Sequence, residues 1–303
     1  MNKKFAHMMA WIVMFLWGMS YLSIKVVVKE IDPILSAFYR YLVAAIILYI
    51  SLKIKFPEEK ILKKDRGKMA LGGLFGISLY FTFENLAVSY TTASNVSVLI
   101  ASIPIFTIVS QRIVFGEKFT LRKILGTTLS LIGIVIIVSS KGKVSLFSKG
   151  TIGDLMALGA ALSWVMYNIV NSKVEGEYKS ITVTTYQAIW GCIFLSPSLL
   201  VANLQMPSMK VALNLLYLAI FCSCIGFAIY IYCLEKLGAT VITTYVNLQP
   251  MITLVTAALI LKESITIWQG MGSVIILAGV FLVSFSGKKK IVDRQQRRAD
   301  YNI

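Results

Sequence analysis

Slid 146 residues along itself, the chain falls back into register: Ala93 meets Ala239, Pro104 meets Pro250, Thr107 meets Thr253 and Glu117 meets Glu263. The same offset, without a gap, then aligns Thr120 with Thr266, Gly126 with Gly272, Gly133 with Gly279 and Ser140 with Ser286. Trp17 and Trp164 agree with it to within one residue. A chain that writes one unit twice must build its fold from two copies packed on each other. Both copies are strongly apolar, so the unit has to be one that lipid accepts.

Charged residues make up 15% of the chain, against about a quarter in an ordinary soluble domain. Mean hydropathy is +0.77. The charges gather in short segments, and between them lie ten apolar runs, near 8–28, 34–52, 69–89, 92–113, 121–140, 151–172, 181–203, 211–233, 239–261 and 267–286. About 30 Å of hydrocarbon takes roughly 20 residues at 1.5 Å per residue, which is the length of these runs. A segment in lipid must satisfy its own backbone hydrogen bonds, so each run predicts a helix. The expected fold is all-α and integral to a membrane: ten transmembrane helices in two five-helix repeats. The repeats occupy residues 1–140 and 151–287, with a linker at 141–150 and a basic tail at 288–303. Five is odd, so the second copy enters from the opposite side. The repeats are then inverted about a pseudo-two-fold axis in the membrane plane, with a binding site between them.

A net charge of +16 suits nucleic acid in principle, but its distribution suits a bilayer. With the N-terminus in the cytoplasm, the cytoplasmic segments hold 22 Lys and Arg and the opposite side 7, with Arg40 inside a span. That bias places both termini in the cytoplasm and the protein in the cell membrane. The tail cluster Lys288, Lys289, Lys290, Arg294, Arg297 and Arg298 reads as topogenic and lipid-facing. Lys3 and Lys4 before an apolar run imitate a signal peptide, but the run is long and no small-residue cleavage site follows, so the first span is expected to be retained. Cys192, Cys222, Cys224 and Cys233 sit in apolar runs without metal or disulfide spacing and read as packing. His7 is the single histidine. No cofactor or metal is expected.

Ionisable groups within the spans are few: Lys25 near the outer end of the first, Arg40 in the second and Glu84 in the third. By helical rise Arg40 and Glu84 lie about 10 Å from the outer edge. A lone charge there costs at least about 2.5 kcal/mol. Three readings stay open: the two pair with each other, one meets a charged solute or carries a proton, or they snorkel. Neutral polar groups form stripes at helical spacing: Trp17 and Tyr21; Asn95 and Ser102; Trp164, Asn168 and Asn171; Thr240, Thr244 and Asn247. In lipid such stripes face other helices or a wet cavity. Pro104 and Pro250 fall mid-span at matched positions, which suggests either packing kinks or paired gating helices. Gly126 with Gly133, Gly272 with Gly279, and Gly72 with Gly76 mark faces of close helix approach. Glu117 and Glu263 read as helix-boundary residues.

The stretches NLAVSYTTASNVSVLIASIPIFTIVSQRIVFGEKFTLRKILGTTLSLIGIVII and CLEKLGATVITTYVNLQPMITLVTAALILKESITIWQGMGSVIILAGVFLV resemble the two EamA domains of the drug/metabolite transporter superfamily. FLWGMSYLSIK and SAFYRYLVAAIIL, around Arg40, add to the likeness. The resemblance implies a ten-helix carrier with a central cavity lined by the first, third, fourth, sixth, eighth and ninth helices. Carried over by helix membership, the cavity residues would be Trp17, Tyr21, Glu84, Asn95, Ser102, Trp164, Asn168, Tyr230, Thr244 and Asn247. The second copy departs from the first: Arg40 has no basic partner there, and Gln187 is the nearest polar counterpart.

The function expected is secondary transport of a small organic metabolite or drug, an amino-acid-like solute being favoured. Export by alternating access is the expected mode, with proton coupling through Glu84 as a further expectation. An intramembrane enzyme would need a nucleophile–base pair, a metal set or paired carboxylates, which the spans do not offer. A scaffold or receptor would need neither an inverted repeat nor a polar interior.

Overall fold

The computed structural model describes residues 3–116, 120–139, 149–174, 178–202, 206–261 and 266–284. Among these residues the regular structure is helical throughout, in one short helical turn, Ser198–Val201, and ten long segments. They are α1 (Lys3–Val27), α2 (Pro33–Lys55), α3 (Lys63–Tyr90), α4 (Ala93–Phe115) and α5 (Leu121–Ser139) in the first copy. The second copy holds α6 (Lys149–Asn171), α7 (Ser180–Leu195), α8 (Met209–Leu237), α9 (Ala239–Ile260) and α10 (Ile267–Ser284). Seven of these, α1 to α4, α6, α8 and α9, are long and apolar enough to cross a membrane. Glu117, Ser140, Glu263, Ser286, linker residues 141–148 and the basic tail lie outside the described residues.

Helix ends follow from local chemistry. Asp32 caps α2 by accepting from Ile34 N at 2.9 Å and Leu35 N at 3.1 Å, with Pro33 in the first turn, where a missing N–H costs nothing. Thr92 caps α4 and Ser208 caps α8 in the same way. Gly238 alone turns α8 into α9, at a φ of 80° that side-chain-bearing residues avoid. The seventh run, expected as one span over 181–203, stops at Leu195. Pro197 prevents its continuation, and only a short turn, Ser198–Val201, follows.

Four helices are irregular at matched places. α3 contains a π-helical stretch at Leu74–Leu79 and α8 one at Leu218–Gly226; the 146-residue shift puts the first inside the second. α4 breaks at Ala101–Ser102, and α9 tightens into a 3-10 turn at Val246–Leu248. Pro104 and Pro250 stand just after these breaks, each at the second position of the helix that restarts, Ile103–Phe115 and Gln249–Leu261. Neither kinks a continuous helix as a mid-span proline would. A proline at a helix start has no hydrogen bond to lose.

The copies interlock. α2 packs against α8 and α3 against α7, while α1 lies against α8 and α9. α5 and α10 cross antiparallel through their glycines. A Cβ on Gly133 would stand 2.6 Å from the Gly272 carbonyl oxygen, and one on Gly279 would collide with the Gly126 carbonyl oxygen. Between these contacts Ser130 Oγ lies 3.5 Å from Ile276 O. The outward surface carries large apolar side chains such as Ile113, Leu121, Val135 and Leu259. The interior holds fully buried aromatic ones, among them Tyr21, Tyr41, Tyr167 and Tyr230.

Candidate functional site

The two tryptophans matched by the repeat meet at the centre. Trp17 of α1 and Trp164 of α6 stand edge to face with centroids 5.3 Å apart, a favoured arrangement of ring quadrupoles. Phe227, which follows the π stretch of α8, packs on both, at 5.4 and 5.5 Å. Tyr80, which follows the π stretch of α3, stands 4.8 Å from Trp164. Gly226 makes room for this close packing: a Cβ there would lie 2.6 Å from Trp17 Nε1. That indole nitrogen donates to Cys222 O at 3.0 Å.

These rings wall a cavity of about 20 Å³, room for about one water molecule. Its polar lining is Ser20, Tyr21, Arg40, Glu84 and Gln249. Arg40 and Glu84 are each only 3% exposed. Arg40 Nε donates to Ser223 Oγ on α8 at 2.7 Å. The guanidinium carbon sits 4.2 Å from the Phe81 ring centroid and 5.6 Å from that of Tyr41, a cation–π arrangement. Arg40 Nη1 has no hydrogen-bond partner among the described residues. Glu84 Oε1 accepts from Tyr80 OH at 2.8 Å, and Tyr21 OH donates to Gln249 Oε1 at 3.1 Å. Among the described residues no ion pair within 4 Å joins Arg40 to Glu84. The two charges share one cavity and remain separate, so the direct pair considered from sequence is not formed: the arginine is held on aromatic faces and a hydroxyl.

Of the other candidates, Tyr230 and Asn168 stand behind the wall. Trp164 Nε1 donates to Tyr230 OH at 3.0 Å, and that hydroxyl donates to Asn168 Oδ1 at 2.7 Å. Asn171, in the same stripe, accepts from Gln187 Nε2 at 2.9 Å. The remaining candidates do not line this cavity. Asn95 Nδ2 donates to Asp154 Oδ1 and so joins α4 to α6. Thr244 bonds back to Thr240 O at 2.7 Å. Asn247 donates to Ser130 Oγ at 3.2 Å, beside the α5–α10 crossing. Ser102 lies at the break of α4, its Oγ unpartnered among the described residues. Lys25 does not project into the interior; its Nζ donates to Val88 O and Thr91 O, both at 2.6 Å, and covers the free carbonyls at the end of α3.

Ser20, Tyr80, Phe81, Phe227 and Gln249 line the cavity but escaped the sequence reading. A signal for some of them existed: at the 146-residue offset Phe81 coincides with Phe227 and Glu84 with Tyr230.

The model of the EamA-like transporter family matches twice, over residues 4–139 and 151–285. An uncharacterized transporter of Archaeoglobus fulgidus is 34% identical over 288 residues, covering 94% of this chain and 98% of its own. A probable amino-acid metabolite efflux pump of Salmonella typhimurium is 27% identical over 295 residues, covering 91% and 94%. A protein of known crystal structure superposes with a TM-score of 0.73 over 95% of this chain and 100% of its own, at 14% identity, a likeness of fold alone. With seven membrane-length helices and both copies matched, this multi-pass membrane protein belongs to the EamA-like transporter family.

Proposed function

We propose that the protein is a secondary transporter that exports a small organic metabolite or drug, an amino-acid-like solute being favoured, across the cytoplasmic membrane by alternating access. The observation that carries this is the cavity at the meeting of the two copies, where aromatic walls, a buried cation and a buried carboxylate converge. Ligand sites combine apolar walls with a few placed polar groups in this way. At about 20 Å³ the cavity admits no organic solute unless helices part, which is what alternating access supplies. The matched irregularities of α3 with α8 and of α4 with α9 are the elements best built to move, and Pro104 and Pro250 mark the restart points as gating positions.

All ten segments cross the membrane on this reading, as copies 1–140 and 151–287 with opposite orientation and both termini cytoplasmic. Exchange of contacts at the α5–α10 crossing supports inversion: Gly133 meets Gly272 while their counterparts, Gly279 and Gly126, meet each other. Reciprocal contact of that kind is the signature of a two-fold axis. Export is supported by the efflux role in the name of the Salmonella typhimurium relative. Glu84, the one carboxylate lining the cavity among the described residues, is the group that would carry a coupling proton.

Purified protein in proteoliposomes tests the reading. A panel of labelled amino acids, amines, nucleobases and organic acids should contain members moved well above the rate of empty vesicles. Flux driven by a pH gradient should vanish in Glu84→Gln while solute exchange persists. Unchanged gradient-driven flux would remove the proton coupling, and no flux of any solute would remove the transporter.

A further inference from the structure

We infer that the cavity is a two-ended charge site in which Arg40 takes the carboxylate, and Glu84 the ammonium group, of one solute; this rests on the transporter reading above. Arg40 is held in a way that leaves hydrogen-bonding capacity unused. Phe81 covers the face of the guanidinium at 4.2 Å, and a stacked guanidinium keeps its N–H groups on its edges. Ser223 engages one of them, through Nε at 2.7 Å. Nη1 is buried and unpartnered among the described residues. An unsatisfied donor on a buried cation is costly, so it is retained where a ligand completes it. The edge of a guanidinium matches a carboxylate in bidentate geometry.

Glu84 is held in a complementary way. Tyr80 donates to Oε1 and the Tyr21 hydroxyl also lies against the carboxyl group; an ionised carboxylate has about four acceptor positions, so about two remain for a further donor. The Trp17 and Trp164 rings line the same cavity, and tryptophan rings attract ammonium ions. Were the two charges a structural device they would neutralise each other, yet no ion pair within 4 Å joins them among the described residues. A solute with a single charge leaves one end of the site uncompensated in a low-dielectric interior. A solute with both charges completes each end, and its apolar part lies against the rings.

Uptake of a radiolabelled mixture of L-amino acids into proteoliposomes tests this, with competition by single amino acids, their methyl esters and the corresponding deaminated acids. On wild-type protein the ester and the deaminated acid should compete at least about tenfold more weakly than the parent, the loss expected for one charge-assisted contact. Arg40→Gln should weaken the parent by a similar factor and leave the ester within about threefold. Glu84→Gln should do the same for the parent and spare the deaminated acid. Equal competition by all three forms on wild type overturns the inference, as does an equal loss of all three in variants that melt like wild type. If a variant does not fold, the wild-type competitor series decides alone. If wild type moves other panel solutes but no amino acid, the two-ended site falls and the transporter stands; if it moves nothing, both fall.

Discussion

Where the first copy holds Arg40 and Glu84, the second holds Gln187 as the nearest polar counterpart and Tyr230 at the matched position. The side-chain hydrogen bonds of the neutral residues stay within their own copy: Gln187 donates to Asn171, its Oε1 unpartnered among the described residues, and Tyr230 donates to Asn168. Arg40 instead reaches across to Ser223 of the other copy and keeps a free N–H. Both copies have the same skeleton, with π stretches, breaks, glycine faces and a central tryptophan at corresponding places. Among the described residues only the first copy brings a guanidinium and a carboxyl group, Arg40 and Glu84, to the cavity lining. The packing features are common to the two copies, and the guanidinium and carboxyl groups at the cavity are not. On the proposed reading the second copy contributes wall residues, Trp164, Phe227 and Gln249, and the first contributes the binding groups Arg40 and Glu84.

The strongest challenge to that division is a matched pair of substitutions. Arg40→Leu should lower transport about a hundredfold, near the upper end of the 1.5–3 kcal/mol that hydrogen bonds to charged groups contribute. Gln187→Leu should leave initial rates in proteoliposomes within about threefold. Equal effects would mean that both copies share the binding chemistry. Next in size is Tyr230→Phe, which strands Asn168 Oδ1 and the Trp164 indole N–H. An expected loss of about 1–3 kcal/mol should appear as a lower unfolding midpoint in detergent; an unchanged midpoint would deny the neutral copy its structural role. The shared skeleton is probed by Gly133→Ala and Gly279→Ala. Each forces a methyl into facing backbone, at about 1–3 kcal/mol, and the two losses should agree within about 0.5 kcal/mol. Unequal values would break the correspondence between copies. Smallest of all, Gly270→Ala places its methyl in open space and should shift stability by no more than about 0.5 kcal/mol.

The membrane-length runs, the duplication and the central tryptophans were legible because each leaves a one-dimensional mark: run length, offset, a residue type that stands out. Arg40, Glu84, Trp17, Tyr21 and Trp164 were found on the same ground, as polar or amphipathic groups in apolar context. Phe81, Phe227 and Tyr80 were not, because an aromatic residue in an apolar run reads equally well as lipid-facing. Helical spacing gave no help, since the π stretches just before Tyr80 and Phe227 rotate the following turns relative to a regular helix. For the polar stripes of α4 and α9, two readings were open from sequence, neighbouring helices or a wet cavity. Asn95, Thr244 and Asn247 do face inward, but onto neighbouring helices and their own backbone. Sequence spacing tells which residues share a face, not which partner that face meets. The end of α7 at Leu195 has a sequence cause in Pro197, which lies inside the apolar run 181–203 and leaves its hydropathy unchanged in character.

Ser130 and Ile276 are separated by 146 residues, the repeat interval itself, and they touch. On the proposed inverted-repeat reading, a residue in contact with its own image lies beside the axis that relates the two copies. If the carrier swaps an inward-open form for its two-fold-related outward-open form, points off that axis change surroundings, and points on it keep theirs. The proposal therefore makes the α5–α10 crossing a stationary pivot, and a distance probe placed there should read the same value in both forms.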